Sequence, residues 1–224
     1  MSKRKILLIE PEFPVLFEGQ EFFTLQPALG LLFLGAVLEK QGFDVEVVNT
    51  GVQEDFDLSG IFAVGITGHA VQHQNIVRIA KKVKKEDENL PVILGGSHAT
   101  FSADFILDQV KEIDFIIRHE GEISFPLLLN NIDNKEAIKK IEGLSFREKG
   151  KIVNNPSKPI LELDQLPVPA FHLLKMDKHF NKIDEISAKF NIKDLTLSIG
   201  LSTSRGCPAK CNFCSARLMQ HPDL

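Results

Sequence analysis

Strand-length and helix-length segments alternate through the first half of this chain, joined by short connections marked by glycine or proline. Residues 5–9, 44–49, 61–67, 91–94 and 114–117 read as strands, and residues 28–40, 71–85 and 102–110 as helices. A further helix is expected after Glu120-Gly121-Glu122, running to about Asn130. The helix over 28–40 meets Gly42, a residue suited to a helix C-terminus. The helix over 71–85 sets Ile76, Ile79, Ala80 and Val83 on one face. Lys81, Lys82, Lys84 and Lys85 crowd its last turns, where the helix dipole favours cations, and they read as a solvated helix end. Strands that are apolar along their whole length need cover on both faces, which a parallel sheet between two helical layers provides. The expected fold class is therefore α/β, a doubly wound Rossmann-like, five-stranded parallel sheet in flavodoxin-like order, over residues 1–140.

The pattern changes near residue 143. Segments 144–147 and 151–154 flank Glu148-Lys149-Gly150 and predict a β-hairpin. Pro156, Pro159, Pro167 and Pro169 then exclude regular structure and predict an extended surface linker. Residues 175–194 are charged and helix-compatible, and 195–203 return to a strand pattern that ends at Arg205-Gly206-Cys207. The expected organisation is a domain over 1–140, a hairpin and linker over 141–194, and the start of another domain over 195–224.

Charge and composition exclude several classes of function. A net charge of −4 supplies no global basic field for nucleic acid. No apolar run approaches the ~20 residues that span a bilayer. The basic start is followed by an apolar stretch that ends at Glu10, too short for a signal-peptide core, so a cytoplasmic protein is expected.

The three cysteines all fall within eight residues, Cys207-Pro208-Ala209-Lys210-Cys211-Asn212-Phe213-Cys214. An odd, clustered set does not read as a disulfide framework, and clustered thiols point to a metal. Thiolates suit iron–sulfur clusters and zinc. A closed zinc site wants four ligands, and His221 is the one nearby candidate to complete it. Three thiolates on a [4Fe–4S] cubane would instead leave one iron open. Three unrelated thiols are the remaining alternative.

In the first domain the polar and glycine-rich residues fall at the carboxyl ends of strands. Thr67-Gly68 follows the third, Gly95-Gly96-Ser97 the fourth and Glu120-Gly121-Glu122 the fifth. Ligands of open α/β sheets bind at that edge, where glycines allow close approach to the backbone. The same glycines also serve simply to make tight turns.

The cysteine segment resembles the signature of radical S-adenosylmethionine (SAM) enzymes, Cys-x3-Cys-x-aromatic-Cys, within Thr203-Ser204-Arg205-Gly206-Cys207-Pro208. The resemblance implies a [4Fe–4S] cluster on Cys207, Cys211 and Cys214, with SAM chelated to the open iron and cleaved reductively. Phe213 would lie near the SAM adenine. The upstream region is similar to the cobalamin-binding domain that precedes the radical SAM domain in one subgroup. That subgroup includes anaerobic magnesium-protoporphyrin ester cyclases and hopanoid methylases. The similarity rests on Val92-Ile93-Leu94-Gly95-Gly96-Ser97-His98-Ala99-Thr100, on Arg118-His119-Glu120-Gly121-Glu122 and on Leu163-Asp164-Gln165-Leu166-Pro167-Val168-Pro169-Ala170. It implies a cobalamin pocket at Thr67, Gly95, Gly96, Ser97, Glu120 and Gly121. It also implies methyl transfer or radical rearrangement on a small-molecule substrate, with an electron donor for the cluster. A non-catalytic corrinoid- or nucleotide-binding module with a vestigial or zinc-binding loop is the competing reading.

Two departures stand out. The loop after the first strand reads Glu10-Pro11-Glu12-Phe13-Pro14, without the cobalt-ligating histidine of an Asp-x-His-x-x-Gly motif. His69, His73 and His98 are the histidines expected nearest the pocket. Only ten residues follow Cys214, whereas one βαβ unit needs roughly 30. The chain is accordingly expected to hold the first strand and cluster loop of an incomplete barrel, as the N-terminal portion of a longer enzyme or a truncated gene product.

Overall fold

A computed structural model describes residues 3–13, 27–53, 55–190, 199–202, 204–207, 209 and 211–220. Most of the strand expected over 195–203 lies outside the described residues, as do Pro14, Thr203, Pro208, Lys210 and His221. The strands are β1 (Lys5–Glu10), β2 (Asp44–Asn49), β3 (Ile61–Thr67), β4 (Val92–Gly95), β5 (Phe115–Ile117), β6 (Leu144–Glu148) and β7 (Lys151–Asn154). They form one sheet in the order β2-β1-β3-β4-β5-β6-β7. The first five are parallel, in the expected flavodoxin-like order. The predicted hairpin joins the same sheet, with β6 antiparallel to β5 and β7 antiparallel to β6.

The helices are α1 (Leu29–Lys40), α2 (His73–Glu86), α3 (Gly96–Gln109), α4 (Ser124–Asn131), α5 (Lys135–Ile138), α6 (Met176–Phe190) and α7 (Ala216–Gln220). Alternate residues of each central strand feed two separate cores. Leu7, Ile9, Val64, Ile66, Val92 and Leu94 pack under α2 and α3 with Ile76, Ile79, Val83, Ile106 and Leu107. Ile6, Leu8, Ala63, Ile93 and Ile117 pack on the opposite face with Leu31, Leu38, Phe125 and Leu128 of α1 and α4. Side chains alternate across a strand, so two buried faces account for strands apolar at every position.

Three elements differ from expectation. The helix predicted over 102–110 begins six residues earlier, at Gly96, and kinks at Ser102 (φ −130°, ψ 24°). The glycine pair read as a terminator instead opens the helix. Gly95 is extended at the N-cap, and the Thr100 hydroxyl donates to the Gly96 carbonyl at 2.9 Å. The single-turn α5 was not foreseen; it is too short for periodicity to reveal, and the Asn134 side chain caps it. The linker is not extended throughout: single 3-10 turns form at Leu163–Gln165, closed off by Pro167, and at Phe171–Leu173, and the segment is held along α1 and β2. Ala170 N–H donates to the Leu32 carbonyl, the Leu173 side chain fills the space a Cβ on Gly35 would take, and Lys175 pairs with Glu46 at 2.6 Å. Among the described residues no helix is long and apolar enough to cross a membrane.

Candidate functional site

A cleft of about 320 Å³ opens on the α1/α4 face at the carboxyl edge of the sheet. Its floor is Leu8, Gly65, Ile93, Ile117 and Phe125, and Leu29, Gly30, Leu31, Phe33 and Leu34 of α1 form one wall. Gly65 keeps the floor low. A Cβ there would stand 2.8 Å from a Leu8 methyl and 3.1 Å from the Phe125 ring. Thr67, Gly95, Gly96, Glu120, Gly121 and Glu122 line the strand ends, so five of the six sequence-predicted pocket residues are brought together.

Gly96 is the tightest point of that edge. Its φ of +87° suits glycine, and a Cβ would meet Thr67 Oγ1 at 2.6 Å and the Gly68 backbone N and O at 3.1 Å. Neighbouring turns are bonded together around it: His98 N–H donates to the Gly68 carbonyl, and His119 N–H to Thr100 Oγ1 at 2.9 Å. His119 itself takes a left-handed conformation, φ 62°.

Ser97, the sixth pocket residue predicted, turns away from the cleft and bonds His69 Nδ1 through its hydroxyl at 2.8 Å. The other two histidines also point elsewhere. His73 Nδ1 and His98 Nε2 lie 2.8 Å apart, so one ring donates and the other accepts. Burial, reinforced by His73, holds the His98 imidazole below the usual histidine range. None of the three lines the cleft.

The segment bearing the cysteines sits at the cleft's rim, where Ser202, Arg205 and Met219 contribute to the lining. Arg205 makes two ion pairs with one turn: Nη1 to Glu120 Oε1 at 2.7 Å and Nη2 to Glu122 Oε1 at 2.5 Å. Glu120 Oε2 also accepts from Ile160 N–H of the linker at 2.8 Å. The guanidinium carbon lies 5.2 Å from the centroid of the Phe33 ring of α1. Burial acts to lower the Arg205 pKa, but the two carboxylates outweigh it and hold it above the ordinary arginine value. On the far side of the cysteines, Met219 of α7 offers its carbonyl to His119 Nδ1 at 3.3 Å. Sequence reasoning quoted Arg205 and Glu122 within motifs but gave neither a role. Only the fold brings them together, across 83 residues of chain.

Cys207 is half-buried, whereas Cys211 and Cys214 are exposed. Cys214 N–H donates to the Cys211 carbonyl at 3.2 Å, closing a turn between those two thiols. Phe213 projects into solvent, 93% exposed, away from the cleft. Among the described residues no three His, Cys, Asp or Glu side chains are gathered as a metal site.

A family model described as the B12 binding domain matches residues 20–129. In sequence this stretch is similar to B12 binding domains. It and the segments after it align together with longer proteins. An uncharacterized methyltransferase of Pyrococcus horikoshii is 33% identical over 97% of this chain and 46% of its own length. An anaerobic magnesium-protoporphyrin IX monomethyl ester cyclase of Synechocystis sp. is 27% identical over 95% of this chain and 42% of its own length. The chain thus spans under half the length of these curated relatives. Its fold is similar to that of OxsB, a cobalamin-dependent S-adenosylmethionine radical enzyme solved with aqua-cobalamin and S-adenosylmethionine bound. That likeness has a TM-score of 0.74 at 18% identity and covers 95% of this chain and 28% of OxsB.

Proposed function

We propose that this chain is the N-terminal part of a cobalamin-binding radical SAM enzyme acting on a small molecule, with methyl transfer as the leading reaction class. Residues 1–140 hold cobalamin, β6 and β7 complete the sheet, the chain after Asn154 connects, and 195–224 begin the radical SAM domain. The observation that carries this reading is the seating of the cysteine segment at the rim of the cleft, through Arg205 and Met219. The name of the Pyrococcus horikoshii relative, a methyltransferase, supports the reaction class.

The residues present fit both groups. A mostly apolar cleft with a glycine floor and a glycine-lined edge suits a flat, uncharged ligand part such as the aromatic base of cobalamin's nucleotide tail. Thr67, Gly95, Gly96, Glu120 and Gly121 would line it, with Ser97 behind the edge. Residues 11–26 contain no histidine, so this reading assigns cobalt no ligand from the loop after β1. Cys207, Cys211 and Cys214 supply three soft thiolates, the donor set of a [4Fe–4S] cluster with one open iron. Phe213 is assigned to the SAM adenine. When bound, the cluster supplies the electron that cleaves SAM and cobalamin supplies a methyl carrier. The chain's own residues shape the cleft and hold the thiols beside it.

Anaerobic iron–sulfide reconstitution of the full chain tests the cluster. The expected result is a broad visible absorption with iron and sulfide in equal amounts, lost in Cys207→Ala, Cys211→Ala and Cys214→Ala. Reduced, intact cysteines that take up no iron overturn it, and stoichiometric zinc after aerobic purification makes the loop a zinc site. Hydroxocobalamin titration tests the cleft separately. Binding of cobalamin without iron would leave a non-catalytic corrinoid module.

A further inference from the structure

We infer that Arg205 is a positioning residue, and that its grip on Glu120 and Glu122 docks the cysteine loop onto the cleft so that cleft occupancy and the exposure of Cys207 are coupled. The coupling to corrinoid rests on the reading above; the docking itself does not.

The loop is fastened to one turn at both ends. Ahead of the cysteines, the guanidinium reaches both carboxylates flanking Gly121. Behind them, the Met219 carbonyl accepts from His119 Nδ1, which fixes the tautomer protonated at that nitrogen. The turn belongs to the cleft, since His119, Glu120, Gly121 and Glu122 all line it. Side-chain exposures of 16% for Arg205, 7% for Glu120 and 9% for Glu122 place these charges away from bulk screening. A largely buried charge triad is costly to open one partner at a time, because the remaining groups lose their counter-charge. Such a contact holds one geometry or breaks as a unit. Cys207 lies two residues from the guanidinium and is the least exposed of the three thiols. A ligand that displaces or tightens the turn must therefore change the solvent access of Cys207 before that of Cys211 or Cys214. The guanidinium meets each carboxylate through a different nitrogen of one rigid planar fork, whereas a lysine ammonium would have to reach both through a single atom on a flexible stem.

Iodoacetamide alkylation of the full-length chain, followed thiol by thiol by mass spectrometry, reads the docking directly. In the unmodified chain Cys207 should react more slowly than Cys214. Arg205→Gln should raise the Cys207 rate about tenfold, the scale of a typical two-site coupling, and leave Cys214 nearly unchanged. Glu120→Gln with Glu122→Gln should do the same, and combining these changes with Arg205→Gln should add little further. Arg205→Lys should give an intermediate ratio, and it carries the test if the glutamine variant does not fold by circular dichroism. Unchanged Cys207 rates in folded variants would overturn the docking. Hydroxocobalamin should shift the Cys207 rate in the unmodified chain but not in Arg205→Gln. A corrinoid that binds without shifting it would overturn the coupling. A corrinoid that fails to bind at all would overturn both the coupling and the corrinoid reading, while the docking would still be judged by the alkylation ratios.

Discussion

Gly96→Ala should cost the fold about 2–5 kcal/mol, a large share of the roughly 5–15 kcal/mol that stabilises a domain. Two contributions make up that figure. At φ +87° a side chain brings a left-handed backbone penalty of ~1–2 kcal/mol. The added methyl would also stand 2.6 Å from Thr67 Oγ1 and 3.1 Å from the Gly68 N and O atoms, an overpacking of backbone that typically costs ~1–3 kcal/mol. Urea unfolding monitored by circular dichroism is the assay. With a slope of ~1–3 kcal/mol per molar, the midpoint should fall by about 1 M or more at unchanged slope. Gly95→Ala is the matched control. Gly95 is extended, and the nearest atom to its Cβ position is the Ile117 carbonyl oxygen at 3.8 Å, so its midpoint should scarcely move. Equal effects at the two positions, or no effect at Gly96, would refute the claim that this edge is shaped by close backbone approach.

Glu10 offers a pH test. Burial, partly offset by Ala28 N–H and Asn49, raises its carboxyl from 4.5 to about 7. The folded state then binds a proton that the unfolded state has released, so stability is full below pH ~4.5, falls as pH rises to ~7 and is level above, a loss on the order of 3 kcal/mol. Glu10→Gln should flatten that slope in denaturation midpoints measured across the range. At the cleft floor, Gly65→Ala should destabilise by ~1–3 kcal/mol through contact with Leu8 and Phe125. It should also weaken hydroxocobalamin binding about tenfold in a spectral titration, the scale of ~1.4 kcal/mol of lost fit.

The sheet was legible because each strand carries its own record of burial. Residues 6–9 are apolar at every position since both faces of β1 are covered, and that alone calls for helices on two sides. The positions of Gly95 and Gly96 were legible as a strand end, yet their role as the opening of α3 was not. A glycine pair reads as a break until the Thr100 hydroxyl and the Gly68 carbonyl are seen to secure the first turn. Ser97 shows the opposite failure. Proximity in sequence to the strand end placed Ser97 at the pocket, but the helical turn after Gly96 directs it to His69, while His98 faces His73 as a packed histidine does.

The sequence by itself determined the layer architecture and the three-thiol loop, because burial periodicity and ligand spacing are local properties, whereas the extension of the five expected strands to seven by the hairpin was decided by the fold. Tertiary structure alone decided where that loop sits. Nothing local marks Glu120 and Glu122 as partners of Arg205, for the pairing joins residues 85 and 83 positions apart and exists only in the folded chain. Tertiary structure likewise turned a row of separate strand-end residues into one cleft, with Gly65 as a floor that no motif announced.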